Sequence, residues 1–140
     1  MTSNAYIGVS LRVFHDTLSP DEITAQLARA PNYTGVKGAA RGAARGPTGA
    51  TWSENYWCSG FDDGATVEDR LVAVGTFLTT REHEMVHLLQ SGGRADIYVF
   101  LAPTETLGVE IQASLLHVLG RLGVGLGVEF SPVRTSNPER

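Results

Sequence analysis

The chain has 140 residues, 42% of them hydrophobic and 19% charged, a balance that fits one globular domain and excludes a disordered chain. A formal net charge of −4 leaves no basic footprint for nucleic acid or for an anionic membrane surface. Cys58 has no second cysteine to pair with, which excludes an internal disulfide and a four-cysteine zinc site. No apolar run approaches the roughly 18 residues of a membrane helix. The opening Met-Thr-Ser-Asn-Ala lacks the basic and apolar regions of a secretory signal, so a cytoplasmic location is expected.

Ile7, Val9, Leu11 and Val13 alternate with Tyr6, Gly8, Ser10 and Arg12, the period-two pattern of a strand with one buried and one wetter face. Ser19-Pro20-Asp21-Glu22 then spells a helix start, with Ser as N-cap, Pro at the first helical position and Glu closing a capping box. That helix is predicted to run to about Ala28 and to bury Ile23 and Leu27. A short strand is expected near Tyr33 to Val36. From Lys37 to Gly49 the segment Gly38-Ala39-Ala40-Arg41 repeats as Gly42-Ala43-Ala44-Arg45, without β-branched residues, and reads as a mobile loop.

The next predicted strand covers about Ala50 to Ser59, with Trp52, Tyr56 and Cys58 on one side and Trp57 on the other. After a turn at Gly60 to Gly64, Thr66 caps a helix through roughly Leu78 that buries Val67, Leu71, Val74 and Leu78. Thr79-Thr80-Arg81-Glu82 offers a second capping box and a third helix to Gln90, ended by Ser91-Gly92-Gly93. A strand follows from Ala95 to Leu101. Leu107 to Ile111 reads as a short strand or a helix start, the strand being favoured. A helix from Ser114 to Leu122 and a last strand from Val124 to Phe130 complete a single domain over residues 1–130. Residues 131–140 form a polar tail expected to be disordered. The order β-α-β-β-α-α-β-(β)-α-β fits a two-layer α+β sandwich, a mostly antiparallel sheet with helices on one face, ferredoxin-like or an elaborated variant.

These features carry a family resemblance. The helix start Leu18-Ser19-Pro20-Asp21-Glu22-Ile23-Thr24, the Gly-rich approach to Trp52 and the two-part helix from Thr66 to Gln90 belong to it. So does the ending Leu107-Gly108-Val109-Glu110-Ile111, Leu115 to Gly123 and Val124 to Phe130. Over about residues 5 to 130 the chain resembles the bacterial family catalogued as domain of unknown function 4279. The resemblance implies no activity, cofactor or catalytic residue. The Gly-Ala-Ala-Arg doublet and the His83/His87 pair depart from what it requires.

His83-Glu84-Met85-Val86-His87 matches a zinc-hydrolase signature, two imidazoles one turn apart with a Glu as general base. Helix phase argues against it. With Met85 at zero on the wheel, Leu88 and Leu89 lie within about 60°, whereas His83 and His87 fall near roughly 160° and 200°. Both rings therefore point to water, Arg81 adds a repelling charge, and a third ligand must come from Glu105, Glu110 or His117. Lys37, Arg41 and Arg45 lie among glycines that would cradle an anion, yet no strand-loop-helix context makes a phosphate loop. Cys58 reads as a buried structural thiol, and Ser10, Ser59 and Ser114 occupy no nucleophile elbow.

Trp52, Tyr56 and Trp57, with Arg41 and Arg45, are the candidate binding residues. The expected function is a non-catalytic binding or protein-interaction module, immunity-like in kind. It is expected to engage a protein partner or to self-associate, with no cofactor, no nucleic acid and no membrane. The alternative is a small zinc-dependent hydrolase using His83, His87 and Glu84.

Overall fold

The computed structural model describes residues 6–42 and 50–131. Strand β1, Tyr6–His15, shows the expected alternation, with Val9, Leu11, Val13 and His15 buried and the residues between them half-exposed. Helix α1, Pro20–Leu27, starts with the capping box read from the sequence. The Glu22 N–H donates to Ser19 Oγ at 3.1 Å and the Ser19 N–H donates to Glu22 Oε1 at 2.9 Å, which satisfies two of the orphan donors of the first turn. The short β2, Tyr33–Gly35, and β3, Asn55–Gly60, follow. Helix α2, Val67–Thr80, is capped by Thr66, and α3 spans Glu82–Gln90. Strand β4, Arg94–Ala102, helix α4, Ala113–Leu122, and β5, Gly125–Phe130, complete the chain.

Among the described residues the strands form one sheet in the order β2-β3-β1-β4-β5. All neighbours are antiparallel except β4 and β5. The first four strands with α1 and α2 make the split β-α-β-β-α-β arrangement of ferredoxin-like folds. Helix α4 is the crossover that a parallel partner requires, and it adds β5 beside β4. The fold is thus the elaborated α+β sandwich expected.

Helices cover one face. There Val9, Leu11 and Val13 of β1, Trp57 of β3 and Ile97 and Val99 of β4 meet Leu27, Val74, Leu78, Met85 and Leu88 of the helices, all buried. The other face carries no helix among the described residues.

Three sequence expectations are corrected. Thr79 is not an N-cap and no helix starts at Thr80, because α2 runs through both residues. A cap needs extended backbone, and Arg81 joins the two helices without a side-chain capping bond. Leu107 to Ile111 is not a strand. β5 already occupies the β4 edge, and the segment is held instead by the Glu110 N–H donating to Glu68 Oε2 at 3.1 Å. The strand expected from Ala50 begins only at Asn55. Ala50 to Trp52 pair with the start of the Gly-Ala-Ala-Arg segment instead. The Trp52 N–H donates to the Ala39 carbonyl at 3.0 Å and the Arg41 N–H to the Ala50 carbonyl at 2.8 Å. Residues 38–42 are therefore not structureless, while Ala43 to Gly49 and the tail beyond Ser131 lie outside the described residues.

Candidate functional site

Strand register decides which side chains share the helix-free face. Gly35, Tyr56, Phe14 and Arg94 lie in one row across β2, β3, β1 and β4. Tyr33, Cys58, Arg12 and Asp96 form the next, and Gly60, Ser10 and Tyr98 the third.

The first row is a continuous stack. The Arg94 guanidinium lies 3.9 Å from the Phe14 ring centre, and Phe14 meets Tyr56 at 5.1 Å. Trp52, outside the strand, folds back onto Tyr56 with centres 4.7 Å apart and planes within 11° of parallel. Arg41 covers Trp52 at 4.4 Å. Gly35 makes this possible, since a Cβ there would overlap the indole. Contacts of this kind are worth about 0.5–1.5 kcal/mol each between rings and about 0.5–1 kcal/mol between an exposed cation and a ring. Arg41 Nε is buried without a hydrogen-bond partner among the described residues.

The second row holds an ion pair. Arg12 donates through Nε and a terminal nitrogen to both Asp96 oxygens, at 2.8 and 2.7 Å, and stacks over Tyr98 at 4.4 Å. The Asp96 hydrogen bonds hold this guanidinium above its ordinary value despite partial burial. Arg94 is likewise oriented by Glu54 at 3.0 Å. These cations are pre-aimed by carboxylates, so their rings and forks occupy defined positions before anything binds.

Beyond the third row a cleft of about 900 Å³ runs from this face round the edge of β1 to the start of α2, where Thr66, Val67 and Glu68 also line it. Gly60 pairs with Ser10 and the Phe61 N–H donates to the Val9 carbonyl at 2.8 Å, so β3 ends there and, among the described residues, no strand flanks Tyr6 to Gly8 on that side. Gly8, Ser10 and Gly60 line the cleft together with Tyr6, Asn32 and Tyr33. Arg29 fixes its rim by donating to Ser59 Oγ at 2.7 Å and the Gly60 carbonyl at 2.6 Å, with its guanidinium 3.6 Å from the Phe61 ring centre. Burial pushes that guanidinium below its ordinary value.

The structure brings Trp52, Tyr56 and Arg41 together, with Tyr56 itself buried within the stack and half-exposed Trp52 and Arg41 left to meet a partner. It separates Trp57 from them. That indole is fully buried on the helix side and donates to Thr24 Oγ1 of α1 at 3.0 Å, because adjacent strand positions face opposite ways. Trp57 is a core residue and offers no recognition surface. Arg45 lies outside the described residues. Cys58 is buried, on the same face as Tyr56. Phe14, Arg94, Asp96 and Tyr98 carry no signal of this face in the sequence. The alternation in β1 marked Arg12 as facing away from the core, but only strand pairing shows that Arg94 and Tyr98 stand beside it.

His83 and His87 are exposed, as their helix phase requires, and Met85 and Leu88 are buried. Glu84 is half-buried. Among the described residues no three His, Cys, Asp or Glu side chains are grouped so as to hold a metal ion. No described helix is long and apolar enough to cross a membrane.

Fold and face together define an elaborated ferredoxin-like α+β domain whose sheet is open on one side. The chain belongs to the family described as a domain of unknown function (DUF4279), whose model matches residues 4–131. No curated protein and no solved structure matches it.

Proposed function

We propose that the chain is a non-catalytic, immunity-like binding domain that holds a protein partner against the helix-free face of its sheet. The observation carrying this reading is the stack Arg41–Trp52–Tyr56–Phe14–Arg94. Aromatic rings and arginines are the residues that dominate protein interfaces, the rings because they bury much area at little rotamer cost and arginine because its planar fork pairs carboxylates and stacks on rings. Here they are already packed on one another, so little further ordering is needed on binding. The partner it suits presents apolar or aromatic side chains flanked by carboxylates. A negative net charge makes a polyanion a poor alternative.

The test is capture from lysate of the native cell with three baits: wild type, Trp52→Ala and His83→Ala. The same protein retained by wild type and His83→Ala, and lost from Trp52→Ala, is the expected result. A partner retained equally by all three would overturn the assignment of the face, and no captured protein would overturn the function.

A further inference from the structure

A second cavity lies in the helix layer, away from the sheet face. Helices α2 and α4 leave a groove of about 380 Å³ between them, within the range of about 300–1,000 Å³ typical of small-molecule sites. Leu71, Val72 and Gly75 of α2 and Leu115 and Val118 of α4 give it an apolar lining. Gly75 sets the depth on its side, since a Cβ there would lie 3.2 Å from Leu115 Cδ1.

The charge on the lining has one sign. Glu68 and Glu110 belong to it, and among the described residues no Lys, Arg or His does. The described arginines on these helices are engaged elsewhere. Arg70 donates to the Gly64 and Ile7 carbonyls, and Arg121 pairs with Glu82. The Glu68 carboxylate is held in place by the Glu110 N–H and is half-buried, so water screens it less than a free surface acid.

We infer that the α2–α4 groove binds a free small amphiphile, with its apolar body on Leu71 and Leu115 and a cationic amine head on Glu68. An anionic head would meet Glu68 and Glu110 with no counter-charge. A neutral head would forgo the charge-assisted hydrogen bond. The inference is independent of the aromatic stack, because it uses none of the stacked residues, although Glu68 also lines the cleft at the edge of β1.

Titration of the full chain with n-decylammonium, decanol and decanoate, below their aggregation concentrations, tests it by amide shifts and calorimetry. The amine is expected to bind about tenfold or more tightly than decanol, the worth of one charge-assisted hydrogen bond, with decanoate weakest. The shifts should centre on α2 and α4. Glu68→Gln should remove most of the amine preference. Val72→Lys, at a side chain 57% exposed and so harmless to the core, should abolish amine binding while circular dichroism stays native. Equal affinity for the three heads, absence of binding by any, shifts elsewhere, or a preference that survives Glu68→Gln would each overturn the inference.

Discussion

Trp52 depends on a residue with no side chain. Its indole occupies the space where a Cβ of Gly35 would stand, and it rests on Tyr56. Gly35→Ala should therefore displace the ring. Overpacking of this kind costs about 1–3 kcal/mol, and a red-shifted tryptophan emission should report the indole entering water. Unchanged emission and stability would show that the stack tolerates a methyl group. A different outcome is expected at His83. With both imidazoles of the zinc signature exposed, dialysed protein should hold well under one zinc per chain, and His83→Ala should alter neither metal content nor stability by more than about 0.5 kcal/mol. Stoichiometric zinc lost on that substitution would restore the hydrolase alternative. The contrast between Trp52 and Trp57 has the same origin. Both are tryptophans of one segment, yet one is held by a glycine across the strand pair and the other by α1.

Elements whose ends carry their own chemistry were legible. Ser19 to Glu22 announced α1 and formed the capping box it spelled, and Thr66 capped α2 as read. The alternation in β1 and β4 marked strands because each has neighbours that bury alternate positions, whereas β5 pairs only with β4 at the sheet edge and leaves Val128 and Phe130 exposed. Thr79 carried the same local signal as Ser19 and failed, since α2 continues through it and its hydroxyl donates back to the Gly75 carbonyl at 2.9 Å. Local capping chemistry is a permission that tertiary packing grants or withholds. Leu107 to Ile111 failed for a related reason. Its apolar alternation is real, and Val109 and Ile111 do pack against the core, but whether an alternating segment pairs depends on a free strand edge. The candidate site was half legible. Tyr56 and Cys58 were assigned to one side and Trp57 to the other from adjacency alone. Arg12 and Asp96 are 84 positions apart, so the rows of the open face exist only through pairing register, which no window of sequence contains.

At the scale of the molecule, His15 ties the sheet to the helix layer. It is buried at the end of β1. Its Nδ1 accepts from the N–H groups of Thr17 and Leu18 at 3.1 and 3.0 Å, which assigns the proton to Nε2. Nε2 then donates to Ser91 Oγ at 2.9 Å, and Ser91 Oγ donates to the Leu88 carbonyl at 3.0 Å at the end of α3. One side chain thus joins β1, the approach to α1 and the close of α3. His15→Ala removes these bonds and opens a cavity, and each effect alone costs on the order of 1–3 kcal/mol. If residues 6–131 fold as one cooperative unit, that loss reaches the whole domain rather than one corner. Urea unfolding should then shift to a lower midpoint at unchanged slope. Emission, which reports Trp57 in the core and Trp52 on the open face, should follow the same transition as far-ultraviolet dichroism in both proteins. Transitions that separate only in His15→Ala would mean that sheet and helices are stable apart, with His15 a local clasp. A single coincident transition makes the open face as stable as the core beneath it, the condition for a surface whose rings are set before a partner arrives.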